Sequence, residues 1–462
     1  TDGNFTQSAT TPRWGNPQVI LAMQVEGYTS KIEITGGTFT NKKSDSNNIF
    51  HGSGKATSDN FEVYGGTYNK SVSDGFFKDG YFAKKVDGVY TAVGPYAAKI
   101  GSTGYATLAA AVEAVTNKGT ITLLQDISSD RINLETKSFT VELNGHTLTS
   151  TAAYGVMFCA KNGNKITVKG DKYSKLVGTL MVTSGTDGHI AISGGTYENP
   201  KYCPIYINGA VSTENSTLTV KSATIIANGT DSDQDTGCAV YLAGYCTSTF
   251  TDTTITAPVT GIEIRAGKLT LKNCTVTGGN GAVTTDANGN GTTVKNAALA
   301  ISQHTTKKPI DVTITGGKYT ATAALLQTDV QSTGSAGVNA TVNSGTFNGT
   351  VSAETDKTIA VKGGKFTSAV PENCCAEGFV PTQNTDGTYG VKVDTSVAEV
   401  NGTKYESLAE AIKAANAGDT IKLLADVIQN TMLTINKNIT LDLNEKKIYN
   451  TEDIWSDTNK TY

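Results

Sequence analysis

Short runs in which apolar and polar residues alternate recur along most of the chain, from Ile121 to Val361. "KITVKG", "HIAISGG" and "GIEIRAGKLTLKNCTVTGG" are examples, and Gly or Asn ends each run. Alternation with a period of two predicts half-buried β-strands, and the Gly and Asn residues predict the turns between them. The body of the chain is therefore expected to consist of short strands without a further helix.

Two segments have helical periodicity instead. Each carries apolar residues at positions i, i+3, i+4 and i+7, which predicts an amphipathic helix. These stripes are Leu108, Ala111, Val112 and Val115 in the first segment and Leu408, Ala411, Ile412 and Ala415 in the second. Ser407 and Glu410 have the spacing of a capping box at the start of the second helix. We expect the helices to stop at Lys118-Gly119 and Ala417-Gly418.

The two helical segments belong to a long internal repeat. "YATLAAAVEAVTNKGTITLLQDI" begins at Tyr105 and "YESLAEAIKAANAGDTIKLLADV" at Tyr405, an offset of 405 − 105 = 300 residues. The preceding segments, which begin at Ser71 and Ala369, are also similar and align Phe76 and Phe77 with Cys374 and Cys375. An exchange of two aromatics for two cysteines indicates a packing position. The repeat predicts one whole module and parts of two others.

The predicted division has five parts. Residues 1–70 form the last rungs of a preceding module, a rung being one turn of a coil of strands, and residues 71–100 form a hairpin-like joint. Residues 101–370 form a complete module with an N-terminal cap helix, and residues 371–395 form a second joint. Residues 396–462 form the cap helix and first rungs of the next module. In the second joint we expect strands at Phe379 to Gln383 and Thr388 to Val393.

A short phrase with glycine shortly before an aromatic residue occurs in six variants, five of them with two glycines and one with Ser-Gly. They end at Phe39, Tyr68, Tyr197, Tyr319, Phe347 and Phe366. In "VTITGGKYT" we expect Val312 and Ile314 to point inward, Gly316 and Gly317 to turn the chain, and Tyr319 to cover the corner or stack on its neighbour. We predict rungs of about 20–30 residues in a parallel solenoid. An antiparallel sandwich would show more regular hairpin signals.

The composition agrees with a β-rich, turn-rich protein. The chain has 49 Gly and 9 Pro among 462 residues, and only 17% of its residues are charged. The net charge is -4, and Arg13, Arg131 and Arg265 are the only arginines, so nucleic acid is not an expected partner. The sequence contains no run of 18 apolar residues, so we predict no membrane insertion in this segment. Cys238 and Cys246 bracket a short strand and are a candidate disulfide, with buried free thiols as the alternative for all seven cysteines.

The opening "Y-x-[ST]-L-x-x-A-[IV]…I-x-L-L-x-D" resembles the cap and first rung of the pectin-lyase-like right-handed parallel β-helix superfamily. With its glycine phrases and its "EGF…DGTYGV" joint, the chain resembles tandem-repeat, adhesin-like surface proteins of gut Gram-positive anaerobes. The resemblance implies a non-catalytic stalk or adhesin segment at the cell surface or cell wall. It implies host or bacterial glycans or proteins, and adjacent modules of the same chain, as partners. Because the superfamily also includes polysaccharide lyases and glycoside hydrolases, such an enzyme is the alternative.

No catalytic residues are predicted. Glu142 and Asp442 occur once per module, so they do not form the carboxylate pair that glycoside hydrolysis needs. Glu263 and Arg265 are two residues apart on one strand face, and we interpret them as a surface salt bridge. An ice-binding or fibre-forming surface would need regular T-x-T ladders on one face of every rung, and the phrases vary too much to predict them.

Two kinds of ligand-binding residues are candidates. Asp231, Asp233 and Asp235 in "DSDQDTG" have the 1, 3, 5 spacing of a calcium loop, although Leu242 replaces its terminal Glu. Structural calcium is therefore an option and no cofactor is required; a solvated acidic turn is the alternative. Tyr64, Tyr202, Tyr241 and Tyr245 are expected to be exposed and could stack on sugars, with ordinary packing as the alternative.

Overall fold

A computed structural model describes residues 3–8, 19–24, 31–42, 49–54, 60–183, 185–208, 215–229, 237–286, 293–304, 307–329 and 337–452. Over these residues the fold is all-β, with two short α-helices. The chain divides into two compact units. The first contains Thr1–Glu377 and Pro381–Val391, and the second contains Gly378–Val380 and Lys392–Tyr462.

The first unit begins with two groups of strands. The strands before the first helix are β1 (Asn4–Gln7), β2 (Ile20–Gln24), β3 (Ile32–Ile34), β4 (Thr38–Asn41), β5 (Phe50–Gly54), β6 (Phe61–Val63), β7 (Thr67–Tyr68), β8 (Phe82–Val86), β9 (Val89–Val93), β10 (Ala98–Ile100) and β11 (Thr103–Tyr105). Parallel pairs join β1 to β4 and β4 to β7, β2 to β5, and β3 to β6. β8 and β9 then form an antiparallel hairpin.

Helix α1 (Leu108–Ala114) precedes the long strand series of the first unit. Its strands are β12 (Thr120–Leu123), β13 (Ile127–Ser129), β14 (Ile132–Leu134), β15 (Phe139–Glu142), β16 (Thr147–Ser150), β17 (Val156–Ala160), β18 (Lys165–Lys169), β19 (Lys175–Val177), β20 (Thr179–Val182), β21 (His189–Ser193), β22 (Thr196–Asn199), β23 (Ile205–Ile207), β24 (Ser216–Lys221), β25 (Thr224–Ala227), β26 (Cys238–Leu242), β27 (Cys246–Thr251), β28 (Thr254–Thr256), β29 (Thr260–Ile264), β30 (Gly267–Lys272), β31 (Thr275–Thr277), β32 (Thr284–Thr285), β33 (Val294–Lys295), β34 (Ala297–Ser302), β35 (Ile310–Thr328), β36 (Val338–Ala353), β37 (Ile359–Val361) and β38 (Lys365–Phe366).

From β12 to β28 each strand pairs in parallel with the third strand after it, and these pairings continue through β34 to β38 to give three ladders, while β32 and β33 form an antiparallel pair. The first ladder contains β12, β15, β18, β21, β24, β27, β30, β35, β36 and β37. The second contains β13, β16, β19, β22, β25, β28, β31, β35, β36 and β38. The third contains β14, β17, β20, β23, β26, β29, β34, β35 and β36. This parallel-sheet architecture is solenoid-like, as the alternating runs predicted.

The inward residues of the ladders fill one core. Because pairing is in register, each buried side chain lies over an equivalent side chain of the next rung. The second ladder, for example, stacks Ile127, Leu148, Leu176, Tyr197, Ile225, Ile255, Val276, Tyr319, Phe347 and Phe366. Three of the six glycine phrases thus end in one aromatic stack, in which the ring centroids of Tyr319, Phe347 and Phe366 lie 4.8 Å apart.

The glycine phrase has the predicted geometry. Val312 and Ile314 are buried, and Gly316 and Gly317 have φ of 76° and 90°. A Cβ on Gly317 would lie 2.1 Å from the carbonyl oxygen of Cys274 in the preceding rung, so only glycine fits there. The phrase is therefore a corner of the coil.

The second unit repeats the start of the module. It contains β41 (Ala398–Val400), β42 (Thr403–Tyr405), helix α2 (Leu408–Ala414), β43 (Thr420–Leu423), β44 (Val427–Ile428), β45 (Thr440–Asp442) and β46 (Ile448–Tyr449). The hydroxyl of Ser407 accepts from the backbone N–H of Glu410, the bond expected of the capping box. Asn144 and Asn444 donate to the carbonyls of Leu123 and Leu423, so corresponding bonds occur in both copies.

Both helices are shorter than predicted. They end at Ala114 and Ala414, and the following Val115 and Ala415 are already extended. Lys137 Nζ donates to the carbonyls of Glu113 and Val115, both at 2.8 Å. Lys437 donates to Lys413 and Ala415 in the same way. A lysine from the next rung satisfies the terminal carbonyls, so no further helical turn is needed.

The segment around the adjacent Cys374 and Cys375 is equivalent to the segment around Phe76 and Phe77. One-turn 3₁₀ helices occur at Asp74–Phe76 and Glu372–Cys374, and Phe77 and Cys375 follow them. Phe77 bridges to Val63 and Cys375 to Val361, both in parallel. The interpretation of the cysteines as packing residues is confirmed. Strands β39 (Phe379–Gln383) and β40 (Tyr389–Val393) then form where the hairpin was predicted.

Candidate functional site

The third ladder differs from the other two because its outward side chains are also largely buried. In register, they are Asn133, Cys159, Met181, Tyr206, Tyr241, Glu263, Ala300, Leu326 and Ser352. All residues of β17, β26, β29 and β34 are buried. The sequence carries a signal for this, since "VMFCA" and "AALAIS" are nearly continuous apolar runs, typical of strands covered on both faces.

Four tyrosine rings on this face form a continuous row. The ring centroids of Tyr154 and Tyr202 are 6.0 Å apart, those of Tyr202 and Tyr206 4.8 Å, and those of Tyr206 and Tyr241 4.9 Å. The guanidinium carbon of Arg265 lies 5.2 Å from the centroid of Tyr241. The row of rings runs from Tyr154 at the surface (68% exposed) to the buried Tyr241 (2% exposed).

The exposed end of this row of tyrosine rings lies in a groove of about 760 Å³. Its lining combines the rings of Tyr154 and Tyr202 and the thioether of Met181 with three polar side chains, those of Asp130, Arg131 and Asn133. The Asp130 carboxylate accepts a hydrogen bond from the Arg131 backbone N–H at 2.7 Å. Aromatic faces next to a carboxylate, a guanidinium and an amide can contact both the apolar face and the hydroxyls of a sugar. We call this the tyrosine groove.

A buried asparagine fixes the backbone of the exposed Tyr154. Tyr154 has φ of 58°, an unusual conformation for a bulky residue. The Asn199 side chain, 1% exposed as a residue, donates to the Tyr154 carbonyl at 3.0 Å and to the Thr179 hydroxyl at 2.8 Å. A Cβ on the next residue, Gly155, would lie 2.7 Å from the Asn199 amide nitrogen. The surrounding structure therefore stabilises the strained conformation that presents this ring at the groove.

The interpretation of Glu263 and Arg265 as a surface salt bridge is wrong. Their side chains are 0% and 1% exposed, and Arg265 Nε donates to Glu263 Oε1 at 2.9 Å. Glu263 also accepts from the Thr293 hydroxyl at 2.8 Å, from the Thr293 N–H at 2.9 Å and from the Val294 N–H at 3.2 Å. The pair anchors the hairpin of β32 and β33. Sequence reasoning missed this because these donors come from a segment about 30 residues further along the chain.

The predicted exposed tyrosines have different environments. Tyr241 is buried, so its predicted exposure is wrong; its ring lies between the ring of Tyr206 and the guanidinium of Arg265. Tyr64, Tyr202 and Tyr245 are half-buried. Tyr64 contacts Tyr81 at a centroid distance of 5.4 Å and donates to Glu62, and only Tyr202 of the four lines the tyrosine groove.

The candidate metal and disulfide residues have separate outcomes. Asp231, Asp233 and Asp235 lie outside the described residues. Among the residues that are described, no cluster of three or more His, Cys, Asp or Glu could hold a metal ion. Cys238 and Cys246 are buried free thiols, so the candidate disulfide is not formed.

The described part of the chain has no helix with the length and apolar character needed to cross a membrane. Comparisons with known proteins do not assign this chain to a family. No family model, no curated protein and no solved structure matches the chain.

Proposed function

We propose that the chain is a segment of an extracellular structural and adhesive protein that binds glycans in the tyrosine groove without transforming them. Its modules are right-handed parallel β-helices of the pectin-lyase-like type, joined by hairpins and exposed at a bacterial cell surface or cell wall. Support for the architecture comes from the three parallel ladders and from the 300-residue repeat. A protein built by repeating one coil can extend by adding modules, which suits a stalk or adhesin.

The tyrosine groove is the observation that carries the glycan-binding role. It places two aromatic rings, Tyr154 and Tyr202, beside Asp130, Arg131 and Asn133. Sugar rings present apolar C–H faces and polar hydroxyl edges, which match the two kinds of lining. The buried Asn199 fixes Tyr154 before a ligand arrives, and this preorganisation lowers the entropic cost of binding.

The alternative, a polysaccharide-degrading enzyme, has less support. Glycoside hydrolysis needs two carboxyl groups on either side of the bond, and of the described acidic residues only Asp130 lines the groove. Glu263, which lies in the same outward column, is fully buried and accepts hydrogen bonds from Arg265, Thr293 and Val294. Such a carboxylate holds structure in place and is out of reach of a substrate.

The test is binding of neutral oligosaccharides on a glycan array, followed by titration of the best ligand. We expect Tyr154→Ala and Tyr202→Ala each to weaken binding by about tenfold, because each removes a stacking face. Tyr173→Ala is the matched control, since Tyr173 is 70% exposed but does not line the groove. No binding by the unmodified chain, or equal loss in all three variants, would contradict the groove. New reducing ends or unsaturated products would favour the enzyme.

A further inference from the structure

The outer face of the first ladder carries a row of threonines, which the varied phrases of the sequence concealed. In register, its central positions are Thr120, Thr140, Thr167, Ala191, Thr219, Thr249, Thr270, Thr313 and Thr341. Only Ala191 interrupts the row. The register brings together residues from runs that differ in sequence. The row is a single threonine column and not a regular T-x-T ladder, because the outward positions two residues away carry Glu, Lys or Ser in several rungs.

Lysines flank this row on both sides. One side has Lys169, Ser193, Lys221, Thr251 and Lys272 on successive strands, so a lysine occurs at every second strand. Strands are about 4.8 Å apart, which places these lysines about 9.5 Å apart. On the other side, Lys165 and Lys268 occupy the first and last of the same five strands. All five lysines are exposed.

The lysines have few anionic neighbours. No strand from β18 to β30 in this ladder contains Asp or Glu. Two carboxylates lie in register at the ends of this face: Glu142 pairs with Lys169 at 3.2 Å, and Asp311 lies beside Lys268 and accepts from the Asn339 amide at 3.2 Å. Asp252, in a turn beside the face, accepts from Asn273 at 2.8 Å. Lys221, Lys268 and Lys272 form no ion pair with any residue that the structure describes. A chain of net charge -4 thus concentrates cations on this face.

We propose that this face, formed by the threonine row and its flanking lysines, binds an extended acidic polysaccharide. Threonine hydroxyls both donate and accept, so a row of them can contact successive sugar hydroxyls. Lysines at every second rung pair with carboxylates or sulfates that recur along the polymer. The proposal is independent of the tyrosine groove, which is on the third ladder.

Charge spacing favours a polysaccharide over the other extended ligands. Duplex DNA carries one negative charge per about 1.7 Å of its axis, far more than lysines about 9.5 Å apart can match. The strongly hydrated lysine ammonium groups beside the threonines also disfavour an ice-binding surface. An acidic polysaccharide has both the lower charge density and the hydroxyls that the face requires.

The experiment measures binding of polygalacturonate, dextran sulfate, neutral dextran and duplex DNA to the full chain at several salt concentrations. We expect binding of at least one acidic polysaccharide that weakens as salt rises, and none of neutral dextran. The triple variant Lys221→Ser, Lys268→Ser and Lys272→Ser should lose about tenfold in affinity or more. A second variant, Thr219→Val with Thr249→Val, should weaken binding without changing its salt dependence.

The matched control is the triple variant Lys84→Ser, Lys172→Ser and Lys318→Ser, which removes three exposed lysines elsewhere. It should bind like the unmodified chain, and all variants should keep the same thermal midpoint. Equal loss in the two triple variants, or binding of DNA as tight as binding of the acidic polysaccharides, would overturn the proposal. Failure here with intact binding of neutral oligosaccharides would leave the tyrosine groove in place.

Discussion

Glu263 is buried, whereas the sequence predicted that it would be at the surface. Its carboxylate is buried among donors from Arg265 and from the segment after β32, whereas Glu142 is 39% exposed in its pair with Lys169. Burying a charge is costly unless it is paired, so the neighbours of Glu263 depend on its charge. Glu142 is solvated and screened, and its pair contributes little.

We therefore expect Glu263→Gln to lower the free energy of unfolding by about 3–5 kcal/mol, because Arg265 would remain buried without its partner. Denaturant unfolding measures this change. Glu142→Gln, the same chemical substitution in an exposed pair, should cost about 1 kcal/mol or less. Equal effects of the two variants would contradict the anchoring role of Glu263.

The cysteines give a second prediction at this scale. Burial raises the pKa of Cys246 and Cys374 to about 11, and burial followed by the charge of Glu372 does so for Cys375. A raised pKa keeps these groups as neutral thiols at pH 7.5, and the thiolate is the reactive form. Iodoacetamide should therefore leave the native chain largely unmodified by intact mass.

In denaturant without reductant, the same reagent should add seven alkyl groups, one for each free cysteine. Two groups fewer would indicate a disulfide. Rapid alkylation of the native chain would show that burial does not protect these thiols.

The sequence predicted the roles of those residues whose partners are close to them in the chain. The glycines at 316 and 317 and the cap at Ser407 follow from backbone geometry over a few positions. Glu263 and Asn199 depend on partners brought close by the coil, so their burial could not be read from local spacing. The tyrosine groove was missed for the same reason, except for Tyr202.

At the scale of elements, the cap helices show how far periodicity reaches. The apolar stripes predicted both helices, and Leu108, Ala111, Leu408, Ala411 and Ile412 are buried in them. The helix ends were placed too late, because Lys137 and Lys437 reach back from the following rung to the last carbonyls. The position of Lys137 depends on the pairing of β12 with β15, and that of Lys437 on the pairing of β43 with β45, which no local pattern specifies.

Lys137→Met tests this capping role, because it keeps most of the side-chain stem and removes the ammonium. We expect a loss of about 1 kcal/mol in stability, since two terminal carbonyls lose a charged donor. The change is measured as a lower thermal midpoint. Lys165→Met, at an exposed position on β18, should leave the midpoint unchanged. A Lys137→Met variant as stable as the parent would show that water replaces the lysine without cost.

At the scale of the whole molecule, the repeated wording of the sequence predicted the solenoid-like architecture but not its surfaces. Inward positions are apolar in most rungs, with Ser248 between Leu218 and Leu269 as an exception, so their period is visible along the chain. Outward rows consist of residues that are 20 positions apart at Thr120 and Thr140 and 43 apart at Thr270 and Thr313. The threonine row exists only once those separations are known. Rung length varies, so no fixed period in the sequence exposes it.

The parallel ladders have a mechanical consequence. Hydrogen bonds between rungs point from each strand to its neighbours, so a pull between the first and last rungs of the long strand series loads them along their own direction. Such bonds yield one after another, and the terminal rung detaches before its neighbour is stressed. A rung of 28 residues would release about 95 Å of extended chain as it unwinds. Under tension this part of the chain would lengthen in uneven steps and absorb work at each of them.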